Sequence, residues 1–503
     1  MKAPTLSIDG ESLSLAQLRE FDNSRPRVEL AANARANMQR SVDVVREAVR
    51  TDRMAYGITT GFGAFANKRI SADQVRQLQL NLVRSHSTGV GAPLSPSLVR
   101  RMLLLKANSL AAGFSGIRQE VLDALLALLN NDVLPVIPER GSVGASGDLA
   151  PLAHMSLCLI GEGEAMQGDR LLEGAAVCAA AGFAPVALEA KEGLALINGT
   201  QLSMALSLEG LFRAETLLNA AIVTGALTVD ALAGSYTPFD LRIHNASRSP
   251  HQIEVARRFG VLLTDSAIRR DHENCDRVQD PYAVRCMPQV LGAVEGVLDH
   301  ARSLLSAAIN GVSDNPLIFD NDILSGGNFH AEPLAMLSDY LGIAVAEIAS
   351  MSERRTDLLD RRVNPALSMF LTTEPGLESG FMIAHVAAAA LTSENRTLAH
   401  PASVDNVPTS AGQEDHVSMA PWAGFKLQRI CWNTAHVLAV ELLAAAHAID
   451  KLQPLKTTEP LQQVHAFVRT CVEYRPYDHR LDRDIAALAA MIERGSLSPF
   501  VQN

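Results

Sequence analysis

Apolar residues recur along most of this chain at spacings of three and four, the period of a helix with one buried stripe. Leu334, Leu337, Leu341, Val345 and Ile348 follow it inside one predicted helix over 332–360. The same reading predicts a helix opening at Ser14, one from about Val28 to Val49, one over Ala72 to Ser87 capped by Ser71, and others at about 95–112, 115–130 and 200–233. Residues 235–285 are charged and poorly periodic and read as loops and short helices. Beyond them come helices at about 289–311, 379–399, 417–452, 458–474 and 479–495. Strand signals are few. Residues 161–197 mix short apolar runs with Gly, Ala and Pro, and Leu317 to Leu324 form one hairpin about a polar turn. The pattern therefore predicts a mainly α chain with a few short strands. Composition shifts from mixed to helical near residue 200, which divides the chain into a region 1–200 and a region 201–503.

Two stretches break the helical rhythm. Ala55-Tyr56-Gly57-Ile58-Thr59-Thr60-Gly61-Phe62-Gly63-Ala64 holds three glycines and paired threonines, which no stable helix accommodates. Gly141-Ser142-Val143-Gly144-Ala145-Ser146-Gly147-Asp148-Leu149-Ala150-Pro151 is a second glycine-rich turn running into an apolar helix. Asp148 is placed to cap that helix, with Pro151 tolerated in its first turn. Ala145, Ser146 and Gly147 then lie at a helix mouth, where backbone amides favour negative charge. Locally this reads as a loop-to-helix junction or as a phosphate cradle. The glycines recur every third residue, however, which is not G-x-G-x-x-G, and no Gly-Lys-Ser/Thr follows.

Composition narrows the possibilities. With 503 residues, 48% hydrophobic and 20% charged, the chain has the make-up of a soluble globular protein with a large core. A formal net charge of -11 argues against nucleic acid or an anionic membrane as the main partner. The six cysteines, at 158, 178, 275, 286, 431 and 471, form no C-x-x-C, and several sit in apolar runs, as buried thiols do in a reducing compartment. No apolar leader follows Met1, and no window has eighteen uninterrupted apolar residues, so a cytoplasmic location is expected.

The run from Gly141 through Asp148 to Leu152-Ala153-His154 resembles the signature of the histidine and aromatic amino-acid ammonia-lyases. That resemblance implies that Ala145, Ser146 and Gly147 condense into 4-methylideneimidazole-5-one, with no external cofactor and no metal. The Gly147 nitrogen attacks the Ala145 carbonyl, water is lost, and Ser146 dehydrates. The residue types suit the chemistry: glycine leaves the nitrogen unhindered, serine carries a β-hydroxyl that can be eliminated, and alanine leaves the carbonyl accessible. The product is an electrophile that ordinary side chains do not provide. The resemblance also implies a mostly helical fold, with an N-terminal catalytic region and a long central bundle, in a homotetramer whose active sites mix residues of neighbouring subunits.

Removing ammonia from an amino acid requires an electrophile for the amine, a base for the β-hydrogen and a clamp for the carboxylate. Tyr56, in a loop similar to the family's Tyr-Gly-x-x-Thr-Gly-Phe-Gly, is the candidate base. Tyr282 is the alternative, and the two roles could be exchanged. Arg285, whose guanidinium can grip a carboxylate in bidentate fashion, shares with Tyr282 and Gln279 a segment that resembles the family's substrate loop. Asn198 matches the asparagine that bonds the ring oxygen, although locally it also reads as the cap of the next helix. Phe329 matches a residue near the ring. His330, Ala331 and Glu332 look like half of a zinc deaminase signature, but no Pro-Cys-x-x-Cys follows, so His330 reads as a structural hydrogen-bonding residue.

Substrate choice rests on His86, Met382 and Glu414: Met382 and Glu414 resemble the histidine-specific members, and Ser85-His86 resembles those and some tyrosine-specific ones. A carboxylate at 414 can accept an imidazole N–H, whereas left unpaired in a buried site it would cost on the order of several kcal/mol. Its local alternative is an acid facing a helix dipole. The Ser87-Thr88 spelling and His385, where glutamine is expected, depart from the pattern. The expected activity is therefore conversion of L-histidine to urocanate and ammonia, with a tyrosine lyase or an aminomutase on the same scaffold as alternatives. A catalytically silent helical scaffold is the reading from outside enzymology, and it would tolerate loss of Tyr56, Ser146 or Arg285.

Overall fold

The computed structural model describes residues 4–272 and 277–501, so Cys275 and residues 1–3 lie outside the described residues. The described residues form nineteen α-helices with short strands between them, the mainly α architecture that the apolar periodicity predicts. It gathers into two compact units: 1–208 with 302–338 and 401–425, and 209–301 with 339–400 and 426–503. The first crossing falls near the composition shift at 200, and two later segments return to the first unit.

In the first unit, strands Thr5–Ile8 and Arg27–Leu30 pair in parallel, in register from Thr5 with Arg27 to Ile8 with Leu30. The expected helix from Val28 is thus corrected to a strand followed by helix Ala32–Arg50. Val28 and Leu30 point inward and Arg27 and Glu29 outward, a period of two that is too short to register in a helical window. Helix Pro96–Ala111 starts on a Ser95 cap with Pro96 in its first turn and is buried from Leu98 onward, its polar residues included. Small antiparallel pairings, Glu164–Gln167 with Arg170–Glu173 and Leu317–Phe319 with Asp322–Leu324, supply the expected strands.

Three short helices of this unit pack on one another: Val75–His86, Leu149–Leu157 and Glu192–Ile197. Close approach is built into them, since a Cβ on Gly193 would lie 2.6 Å from the Gln79 carbonyl oxygen. The first begins at Val75 and not at Ala72; the Ser71 hydroxyl donates to the Gln74 side chain and caps no backbone N–H.

The second unit is built mainly from long helices. Its interior holds a bidentate ion pair between Arg355 and Glu441, both fully buried, with Thr228 donating to the same carboxylate at 2.7 Å. The stretch read as loops and short helices also contains a longer one, Pro250–Leu262. His385 finds a place here, with Nε2 2.8 Å from the Glu353 carboxylate.

Helix Glu332–Asp360 is long and apolar enough to cross a membrane by length and composition, but 67% of its most apolar window is buried inside the protein, as in a core helix. The described cysteines are all free. Burial pushes the Cys431 thiol up to about 12 and the Cys158 thiol higher still, which leaves both inert.

Candidate active site

Each of the three packed helices ends on a residue expected in the site. His86 closes Val75–His86, Ala145-Ser146-Gly147 opens onto Leu149–Leu157, and Asn198 caps the C-terminus of Glu192–Ile197. The Tyr56 loop rests on the same cluster. The Gln79 side chain bridges the Gly57 carbonyl and the Leu194 N–H, and Gly57 lies so close to Leu194 that an added Cβ would come within 2.3 Å of its methyl.

Backbone contacts on several sides hold the triplet turn. Gly147 has φ +73° and pairs with Gly199 as an isolated parallel bridge, and a Cβ at 147 would stand 2.2 Å from the Gly199 oxygen. Only glycine fits both constraints. Asp148 donates its N–H to the same oxygen at 2.7 Å. Val143 and Gly144 carbonyls accept from Met419 N–H and the Ser418 hydroxyl, at 2.8 and 2.9 Å.

Asp148 stands at the N-cap position, but its side chain makes no capping bond, which corrects the expectation for this residue. The fully buried carboxylate instead accepts from the Ser203 N–H and hydroxyl, both at 2.9 Å, and from Ser142 at 3.2 Å. Burial pushes its pKa up to about 6 against those hydrogen bonds. Asn198 likewise does not cap the helix that follows it. It is buried, and its side-chain oxygen has no partner.

The Ser146 hydroxyl donates to Glu414 Oε1 at 2.6 Å, and the other carboxylate oxygen accepts from Thr409 at 2.5 Å and Ser410 at 2.7 Å. Burial alone would raise the Glu414 pKa, but hydrogen bonds from Ser146, Thr409 and Ser410, with the nearby His86, outweigh it and hold the carboxyl below its ordinary value. Glu414 is thus an ionised acceptor, and its own segment begins no helix before Ala420. His86 binds the Leu82 carbonyl through Nδ1 at 2.8 Å, and burial keeps its pKa low against that bond and against Glu414. The Tyr56 hydroxyl oxygen accepts from the Gly63 N–H at 3.1 Å, and Phe62 meets the His86 ring edge-on. The turns Gly63–Phe65 and Ser410–Gly412 adjoin, so the Tyr56 and Glu414 loops are neighbours.

Phe329 lies half-buried in its glycine-rich segment of the first unit. His330 engages both ring nitrogens, with the His416 carbonyl at 3.1 Å and the Glu332 N–H at 3.3 Å. Potential ligand atoms of His330, Glu332 and His416 come within 4.8 Å of one another, but a cation there would have to break one of those bonds.

Gln279, Tyr282, Arg285 and Met382 belong to the second unit. Helix Tyr282–Arg285 follows Pro281, and the Arg285 guanidinium lies 5.0 Å from the centre of the Tyr282 ring. Tyr282 is 71% exposed, Gln279 is exposed and Met382 is 37% exposed.

Sequence reading missed Thr409 and Ser410 as supports of Glu414, and Ser203 as the partner of Asp148. Lys106 was missed as well, although a lone lysine in Met102-Leu103-Leu104-Leu105-Lys106-Ala107 was a signal.

A largely helical scaffold that holds a serine-centred turn against an ionised carboxylate matches known proteins along almost its whole length. The family profile described as aromatic amino acid lyase matches residues 13–470. Histidine ammonia-lyase of Desulfotalea psychrophila is 49% identical, over 97% of this chain and 96% of its own. The crystal structure of histidine ammonia-lyase from Trypanosoma cruzi superposes with a TM-score of 0.91 at 38% identity, over 99% of this chain and 95% of the other. Tyrosine aminomutase of Streptomyces globisporus superposes with a TM-score of 0.92 at 34% identity, over 99% and 98%. The chain belongs to the aromatic amino acid lyase family.

Proposed function

We propose that this chain is a histidine ammonia-lyase, converting L-histidine to trans-urocanate and ammonia, the opening step of histidine degradation. The observation that carries the reading is the ionised Glu414 on Ser146, an acceptor suited to an imidazole N–H where a benzene ring would leave it unpaired. Curated relatives named histidine ammonia-lyase, at about half identity over nearly the full length, support it.

The residues fit a ring made from Ala145, Ser146 and Gly147, the 4-methylideneimidazole-5-one of the resemblance, without an external cofactor. Gly147 is pressed on Gly199 in a space that only glycine can fill, and the buried residue before Gly199, Asn198, carries amide N–H donors of the kind a ring oxygen would accept from. Once formed, the ring supplies an electrophilic methylene that makes the amine a competent leaving group. The protein's own side chains do the rest. Arg285 grips the substrate carboxylate, assisted by Gln279. Glu414 and His86 orient the imidazole, with Phe329 and Met382 lining the site. Tyr56 or Tyr282 takes the β-proton. Asn198 stabilises charge on the ring oxygen.

Region 1–200 supplies the ring and the Tyr56 loop, and region 201–503 supplies the helical bundle. Exposure of Gln279, Tyr282 and Met382 on the single chain supports a homotetramer in which these residues reach the substrate bound by a neighbouring subunit. A cytoplasmic location accords with the free thiols of the described residues, of which Cys158, Cys178 and Cys431 are buried.

Tyrosine aminomutase and tyrosine lyase chemistry is the second reading, favoured by the fold shared with an aminomutase. Incubating the purified protein separately with histidine, tyrosine and phenylalanine and following the ultraviolet band of a conjugated acid decides between them. Urocanate from histidine alone is expected. Coumarate from tyrosine, or a β-amino acid, would overturn the assignment. Silence with all three and an unmodified Ser146 would leave a scaffold.

A further inference from the structure

One buried amine has no part in this chemistry. Lys106, on helix Pro96–Ala111, is 1% exposed. Its Nζ donates to the main-chain oxygen of Asn198 at 2.7 Å, its only hydrogen bond among the described residues. Among the described residues no carboxylate pairs with it directly. Asp314 is ion-paired with Lys191 at 2.6 Å, and Asp148 is bound to Ser203 and Ser142. Burial pushes the Lys106 pKa down to about 7, opposed by Asp314 and Asp148 and reinforced by Lys191. Sinking an amine-bearing chain into a core without a directly paired carboxylate is expensive, and here it secures a single carbonyl.

That carbonyl belongs to the segment that presses on the triplet. Gly199, next to Asn198, makes the isolated bridge to Gly147; the Gly199 oxygen receives the Asp148 N–H; and the next residue, Thr200, donates its N–H to Ser313 at 3.2 Å. Lys106 and Ser313 therefore pin this segment on either side of the glycine that touches Gly147.

We propose that Lys106 is a positioning residue for ring formation: by holding the Asn198 carbonyl it fixes Gly199 against Gly147 and keeps residues 145–147 tight enough for the Gly147 nitrogen to reach the Ala145 carbonyl carbon. This rests on the ring reading above. The new bond forms as the Ala145 oxygen leaves in a water with the amide hydrogens of Gly147 and Ser146. A second water carries away the Ser146 hydroxyl and its α-hydrogen. No oxidant or reductant is needed.

The test compares full-length wild type, Lys106→Met and Lys106→Arg, prepared identically. It reads the mass of the peptide spanning 145–147, which falls by two waters on condensation, the thermal midpoint, and turnover per ring-bearing chain. Lys106→Met should fold with an unchanged or raised midpoint, since a well-packed apolar chain replaces a buried charge. Its ring-bearing fraction should drop about tenfold or more, while the ring-bearing chains turn over as wild type does. Lys106→Arg, which keeps a donor, should recover much of the loss. The proposal is overturned if Lys106→Met condenses as fully as wild type. It also fails if that variant does not fold, because the lysine then supports the core at large, or if arginine does no better than methionine. A wild-type peptide that is still linear would instead overturn the ring reading, and it would show before any variant is made.

Discussion

The hydroxyl of Ser146 and the carboxylate of Glu414 meet at 2.6 Å, although 268 positions separate them in the chain. Thr409 and Ser410 keep that carboxylate ionised and fixed in direction. The group proposed to recognise imidazole is thus aimed at the hydroxyl that ring formation would expel, one bond from the carbon that would become the methylene. Glu414→Gln keeps the shape and removes the charge. Its turnover of histidine should fall by about a hundredfold or more, measured as urocanate formation with the ring content matched to wild type. Near-full rate would remove imidazole recognition from this position.

Ser146→Ala should leave the fold intact and abolish turnover. The side chain is only half-buried, and its removal leaves Glu414 with two hydroxyl donors, so the thermal midpoint should move little. Without a β-hydroxyl there is nothing to eliminate. Circular dichroism and a urocanate assay on one preparation check both halves, and residual activity at a tenth of wild type would sink the proposed role of the serine.

The parts legible in the sequence are those whose cause is local. The 3.6-residue period marks Leu334 to Ile348 as a buried stripe, and glycine density marks the Tyr56 loop and the triplet turn. Non-local pairing was hidden. Val28 and Leu30 belong to a strand only because Thr5–Ile8 lies alongside, and Asp148 leaves its capping role only because Ser203, 55 residues later, offers two donors. Asn198 read equally well as a helix cap or a ring partner, because a cap position is a statement about neighbours in sequence and an orphaned buried amide is a statement about neighbours in space.

Asp148 gives a pH signature. Burial lifts its pKa from the ordinary 3.8 to about 6, so between those values the native state holds a proton that the unfolded chain has released. The associated stability is complete below about 4 and is lost as pH rises through about 6. Asp148→Asn has no such titration. The stability of wild type minus that of the variant, from denaturant midpoints, should therefore decline from pH 4 to pH 6.5 and then level off. A difference that is flat or rises over this range would show that the carboxylate is already ionised throughout.

The two tyrosines can be told apart by what surrounds them. Tyr56 is half-buried, and its phenol oxygen accepts the Gly63 N–H, which fixes its direction; Tyr282 is 71% exposed and lies beneath the Arg285 guanidinium. A hydroxyl fixed in direction, in the unit that carries Ser146, makes Tyr56 the better-placed candidate. Tyr56→Phe should therefore lower kcat by roughly 100- to 10,000-fold with KM little changed, the mark of a group that acts in the transition state. Tyr282→Phe keeps the ring under Arg285, so the carboxylate clamp should hold and its kcat should fall less. Both variants should carry the condensed triplet in full, by peptide mass. If Tyr282→Phe proves the more damaging in kcat, the proton goes to the tyrosine beside the arginine and Tyr56 serves only to shape its loop.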